Sequence, residues 1–92
     1  MNIEEAINHP NATILDVRRE EEFNEGNVLG SINIPLHEVP DNIDNIKSMS
    51  KPIVLYCKSG GRSGQALIFL QSQGLKELQN GGGFDDVMKL KS

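Results

Sequence analysis

A nucleophile, two cations and a run of unhindered backbone donors share the stretch Cys57-Lys58-Ser59-Gly60-Gly61-Arg62-Ser63. Thiolate is the reactive form of cysteine, and a free thiol with a pKa of about 8.5 is mostly protonated at neutral pH. Three features of this stretch act to lower that value. The N–H groups of Ser59 to Ser63 can form an anion-binding concavity, a helix beginning near Arg62 contributes the positive end of its dipole, and Lys58 and Arg62 add formal charge. Gly60 and Gly61 suit a backbone that must curl around an anion, through positive φ or close approach. Such a site binds negative charge twice, on its own sulfur and on an incoming anion. The plainer alternative is an inert cysteine buried at the end of a core strand.

The elements that must position this stretch flank it directly. Ile53-Val54-Leu55-Tyr56 carries no charge and reads as a parallel strand buried on both faces. After the loop, Ala66, Leu67, Phe69 and Leu70 recur at helical spacing as core residues, and Gly74 stands at a plausible C′ position. Strand, tight turn and helix in this order form the device that binds ligands at the carboxyl edge of open α/β sheets.

Elsewhere Ile3, Ala6 and Ile7 predict a short helix stopped by His9-Pro10-Asn11, followed by a strand over Ala12 to Val17. Arg19 to Glu25 is a charge-rich helical turn with Phe23 as its apolar anchor, read as a solvated face. Ser31 to Ile34 alternates like a strand before Pro35. Leu36, Val39, Ile43 and Ile46 suggest a turn and then a helix capped near Asp41, with Pro40 outside its interior. Leu75 to Gln79 predicts another strand, Asn80-Gly81-Gly82-Gly83 a turn, and Phe84, Val87, Met88 and Leu90 a last helix. His9 and His37 lack partners at metal-ligand spacing and read as surface residues. The glycine run lacks the Lys-Ser/Thr ending of a nucleotide loop. The pattern predicts a small α/β three-layer sandwich: a mostly parallel sheet of four or five strands with helices on both faces.

A chain of 92 residues predicts one domain, 1–92. A net charge of -4 and no long basic run argue against a nucleic-acid partner. The lone cysteine forms no internal disulfide, which fits a reducing compartment. The first residues carry acids where a signal peptide carries bases, and no apolar run approaches the roughly 20 residues of a membrane span. The expectation is a soluble, cytoplasmic monomer with no membrane partner.

Asp16-Val17-Arg18, Glu22-Phe23, Gly30-Ser31-Ile32-Asn33-Ile34-Pro35, Cys57 to Ser63 and Gly82-Gly83-Phe84 together resemble the ordered signature of a single-domain rhodanese, of the small bacterial phage-shock type. The resemblance implies a sulfurtransferase whose loop cysteine carries a persulfide, with Asp16 and Arg18 supporting the active-site loop; a plain surface ion pair is the alternative. It also implies that the glycine turn passes close to that loop. Asn27 stands where relatives commonly have histidine, and it cannot titrate.

The implied reaction is covalent catalysis in two halves. Cys57 thiolate takes the outer sulfur of thiosulfate or a similar donor, and cyanide, glutathione or a protein thiol then removes it. Lys58 and Arg62 are expected to hold the anionic donor, and the N–H groups of Ser59, Gly60, Gly61, Arg62 and Ser63 to cradle the sulfur, with no metal or organic cofactor. A cysteine phosphatase or arsenate reductase is the rival enzyme, but those set their arginine at the position held here by Ser63, one residue beyond Arg62. A persulfide carrier or non-catalytic interaction module is the rival of another class.

Overall fold

The computed structural model describes residues 1–92. In chain order it contains α1 (Ile3–Asn8), β1 (Thr13–Asp16), α2 (Glu20–Glu25), β2 (Ile32–Asn33), a 3-10 segment (Leu36–Asn42), α3 (Ile43–Lys47), β3 (Ile53–Cys57), α4 (Gly61–Ser72), β4 (Leu78–Gly83) and α5 (Phe84–Leu90). The strands form one parallel sheet in the order β2-β1-β3-β4. The predicted α/β fold is therefore observed, with the strand that carries the cysteine in the interior of the sheet.

Strand periodicity divides the core into two layers. Leu15, Ile53, Leu55 and Cys57 share one face with Val39, Ile46, Ala66 and Leu70 from the 3-10 segment, α3 and α4. Ile14, Val54 and Tyr56 share the other with Ala6, Ile7 and Val87 from α1 and α5. Every residue of β3 is buried, as a strand covered by helices on both sides requires. Fully burying a large aliphatic side chain contributes about 1.5–3 kcal/mol, so this strand is the most firmly held part of the sheet. At the start of α1, Asn2 and Glu5 form a reciprocal capping box, with bonds of 2.8 and 3.0 Å.

Two local expectations are corrected. The glycine run is strand rather than turn: β4 spans Leu78–Gly83, and its register against β3 slips between Leu55 and Tyr56, leaving Gly81 as an unpaired bulge residue. Glycine is depleted in strands, but here backbone pairing with β3 and close approach to neighbouring chain outweigh that preference. Leu36–Asn42 is 3-10 with Pro40 inside it, and α3 has no side-chain cap at Asp41 or at its N-cap residue Asn42. α2 is mostly exposed, as a solvated face should be, with Phe23 half-buried.

Candidate functional site

β3 delivers Cys57 to the carboxyl edge of the sheet, and the chain reverses through Lys58, Ser59 and Gly60 into α4. Gly60 makes the reversal at φ 100°, in the left-handed region that costs glycine nothing. Its N–H donates to Cys57 Sγ at 2.9 Å. The N-cap of α4 offers no side-chain acceptor, so the first-turn amides keep their capacity for the sulfur. Ser63, fully buried, places its hydroxyl 3.5 Å from Sγ, 3.2 Å from the Gly60 carbonyl and 2.7 Å from Asn80 Oδ1. A hydroxyl has a single proton, so these acceptors compete for it.

Burial pushes the Cys57 thiol up; the Ser63 hydroxyl and the N–H groups of Ser63, Ser59 and Gly60 outweigh it, leaving the thiol below its ordinary value. The groups nearest the sulfur are thus neutral donors. Cys57 itself is 1 % exposed, whereas Lys58, Ser59 and Gly61 of the loop are exposed. Gly61 lacks the role expected of it: its φ is not positive, and a Cβ there would meet nothing within 4 Å.

β4 supports the loop from below. Asn80 donates to the Gly60 carbonyl at 3.1 Å and accepts from Gly82 N–H at 2.9 Å, tying the loop to the bulged strand. Gly82 lies against Gly60, and Gly83 against the Lys58 carbonyl, as the resemblance implied for the glycine run. No feature of Asn80 in the sequence marked it; only the bulge, which brings its side chain under the loop, does so.

Arg62 has a partner that the sequence did not indicate. Its guanidinium makes a bidentate pair with Glu22, Nη1 to Oε1 at 2.6 Å and Nη2 to Oε2 at 3.0 Å, and stays partly exposed. The bond to Arg62, against a smaller opposing effect of burial, holds the Glu22 carboxyl at about 2. Glu22 Oε1 also accepts the Arg19 N–H at 3.2 Å. Glu22 accordingly leaves the solvated face assigned to it, and this pair fastens α2 to α4. At the other end of α2, Asn27 donates to the Phe23 carbonyl at 2.9 Å.

Asp16 and Arg18 make no hydrogen bond to residues 58–63, so they do not brace the loop directly. Nor are they a surface pair: their side chains are 0 % and 7 % exposed. Asp16 accepts from the Arg18 N–H and from its guanidinium, at 2.7 to 3.1 Å, and Arg18 Nη2 also reaches the Gly26 carbonyl at 2.7 Å. Burial pushes the guanidinium down, but the Asp16 carboxylate more than restores it. The guanidinium lies over the rings of Tyr56 and Phe84, at 5.4 and 4.8 Å. Arg18 and Phe84 form one wall of an open cleft of about 300 Å³ that Lys58, Glu22, Glu25, Gly26 and Asp85 also line. No three His, Cys, Asp or Glu side chains converge into a metal-ligand set, and no helix is long and apolar enough to cross a membrane.

A parallel sheet whose interior strand ends in a cysteine ringed by loop amides defines a class, and comparison supplies its name. The chain belongs to the rhodanese family: the model of the Rhodanese-like domain matches residues 2–89. It is similar to the thiosulfate sulfurtransferase PspE of Escherichia coli K12, 36% identical over 74 residues that cover 79% of this chain and 71% of that one. It is 40% identical over 74 residues to the uncharacterized protein YqhL of Bacillus subtilis, covering 79% of this chain but only 58% of that relative's length. Among solved structures it resembles a rhodanese with anions from E. coli, at a TM-score of 0.73 and 36% identity, covering 82% of this chain and 89% of the other.

Proposed function

We propose that this chain is a sulfurtransferase that moves sulfane sulfur from thiosulfate or a similar donor to a thiophilic acceptor through a persulfide on Cys57. The observation that carries the reading is the convergence of the Gly60 N–H and the Ser63 hydroxyl on Sγ at the mouth of α4. Membership of the rhodanese family and similarity to a relative named thiosulfate sulfurtransferase support it.

In the first half-reaction Cys57 thiolate attacks the outer sulfur of the donor. The Cys57 S–S bond forms as the donor's S–S bond breaks, and the electron pair leaves on sulfite. The negative charge, now on the outer sulfur of the persulfide, takes the place of the thiolate among the loop donors, which need not reorganise. In the second half, cyanide, glutathione or a protein thiol attacks that outer sulfur and Cys57 returns as thiolate. Lys58, exposed and unpaired, is the cation that meets the donor; Arg62, committed to Glu22, fixes the start of α4. Both halves run within one domain, 1–92, acting as a monomer, and the lone thiol suits a reducing compartment such as the cytoplasm.

Mass spectrometry of the intact protein tests this. Incubation with thiosulfate should add the mass of one sulfur atom, cyanide should remove it as thiocyanate, and Cys57→Ala should take up none. Wild type that stays unmodified, or turnover of a phosphate ester in place of thiosulfate, overturns the reading.

A further inference from the structure

The Ser63 hydroxyl has one proton and three acceptors within reach, and the groups around Asn80 decide which of them holds it. The Gly82 N–H can only donate and the Gly60 carbonyl can only accept, so the Asn80 amide must turn Oδ1 to the first, at 2.9 Å, and Nδ2 to the second, at 3.1 Å. A flipped amide would set donor against donor and acceptor against acceptor. Oδ1 therefore also faces Ser63, 2.7 Å from its hydroxyl oxygen. An amide oxygen cannot donate, so this bond uses the Ser63 proton. Its length is that of an ordinary O–H···O bond, whereas the hydroxyl stands 3.5 Å from Cys57 Sγ and 3.2 Å from the Gly60 carbonyl. While the sulfur is a neutral thiol, the proton belongs to β4. A thiolate reverses the comparison, because a hydrogen bond to an ionised acceptor is roughly twice as strong as a neutral one. The hydroxyl then needs only to rotate about its own C–O bond, and the buried serine stays in place. The competing acceptor lies outside the cradle, since Asn80 is exposed on an edge strand of the sheet.

We propose that Asn80 is a positioning residue that acts on Cys57 through Ser63: it holds the hydroxyl proton while the sulfur is uncharged and gives it up when charge develops on the thiolate or on the outer sulfur of a persulfide. Its place in turnover rests on the sulfurtransferase reading above, but its effect on the thiol does not. The sign of that effect separates this role from plain support of the loop. Asn80 braces the Gly60 carbonyl, so a purely structural Asn80 helps to keep the Gly60 N–H on Sγ, and its loss makes the thiol harder to ionise. A competing acceptor does the opposite: removing Oδ1 frees the Ser63 proton for the sulfur, and the thiol ionises more easily. β4 brings no charge of its own. Lys58 and Arg62 at the loop, Asp16 at the end of β1, Glu22 on Arg62 and Asp86 on the Gly83 N–H all remain when Asn80 is replaced by alanine, so the change reports the hydroxyl.

The test is the pH dependence of Cys57 alkylation by iodoacetamide, which needs no sulfur donor, in wild type, Asn80→Ala, Ser63→Ala and the double variant. Asn80→Ala should move the inflection down by about half to one pH unit, the strength of one neutral hydrogen bond. In the Ser63→Ala background the same substitution should no longer lower it, because the group through which Asn80 acts is gone. An inflection that rises or stays in place in Asn80→Ala, or that falls also where Ser63 is absent, overturns the role assigned to Asn80. Should Asn80→Ala fail to fold, Asn80→Asp keeps the volume and strengthens the acceptor. It should raise the inflection, and further with Ser63 present than in Ser63→Ala; equal rises would reflect the added charge alone and overturn the proposal. Loading of wild type from thiosulfate is read separately by intact mass, and its absence refutes the sulfurtransferase reading while leaving the alkylation result to decide the part played by Asn80.

Discussion

Gly83→Ala should disable the site from a strand that makes no hydrogen bond to the sulfur. Gly83 has φ -92°, which alanine adopts freely, so the change acts through space alone. The added Cβ would overlap the Lys58 carbonyl oxygen and lie 3.1 Å from its carbon and 3.2 Å from Asp86 Oδ2. Asp86 can swing away. The Lys58 carbonyl is backbone, bonded through its own residue to Cys57, and the loop it belongs to is pinned by the Gly60 N–H on Sγ at 2.9 Å and by Asn80 on the Gly60 carbonyl at 3.1 Å. Restoring ordinary contact requires β4 and the loop to part by on the order of 1 Å. Overpacking of this kind costs about 1–3 kcal/mol, or roughly 4–8 °C in melting temperature for each kcal/mol in a chain of this size. A displacement of about 1 Å at a reacting centre lowers the rate on the order of a hundredfold. Thermal unfolding and the rate of persulfide formation from thiosulfate, followed by intact mass, measure the two effects separately. A variant that melts and loads like wild type would mean that the loop does not depend on β4, and the account of the cradle would be wrong.

Other substitutions separate positions that look alike in the sequence. Gly60→Ala should cost about 1–2 kcal/mol and slow loading, because φ 100° strains a residue with a Cβ. Gly61→Ala, within the first turn of α4 and with open space around it, should stabilise by about 0.5–1 kcal/mol and load normally; urea titration of both variants, with loading rates, checks the contrast. Arg18→Ala leaves Asp16 buried and unpaired, and its unfolding free energy should drop by about 3–5 kcal/mol. Glu22 is depressed to about 2 from 4.5, so its pairing with Arg62 stabilises the fold above pH 4.5 and that stability is lost as pH falls from 4.5 toward 2. After allowance for solvent screening it amounts to about 1–2 kcal/mol. Unfolding measured across that window should fall more steeply for wild type than for Glu22→Gln, and equal slopes would remove the pair from the stability of the fold.

Much of this fold was legible because its signals are local. The uncharged run Ile53 to Tyr56, the glycines after Cys57 and the apolar spacing of Ala66, Leu67 and Leu70 each reflect chain geometry within a few residues. The features that escaped depend on which elements meet in space. Glu22 looked like one acid in a charged face, and only the approach of α2 to α4 makes it the partner of Arg62 across 40 positions of sequence. Asn80 and its glycines read as a turn by composition, because a strand that pairs mainly through backbone beside a crowded loop needs no side chains of its own. Arg18 was placed against the loop, yet Tyr56, Phe84 and the Gly26 carbonyl claim its guanidinium. The cradle could be inferred from its own residues, whereas the partner of its arginine could not.

The central claim is that loop amides and the Ser63 hydroxyl lower the pKa of Cys57 despite its burial. The rate of alkylation of Cys57 by iodoacetamide as a function of pH, in the native protein and in Ser63→Ala, tests it most directly. The native curve should inflect below the value of about 8.5 typical of a free thiol, and that of Ser63→Ala should inflect higher, as burial regains its weight. A native inflection at or above the free-thiol value, or one that Ser63→Ala leaves in place, would contradict the account.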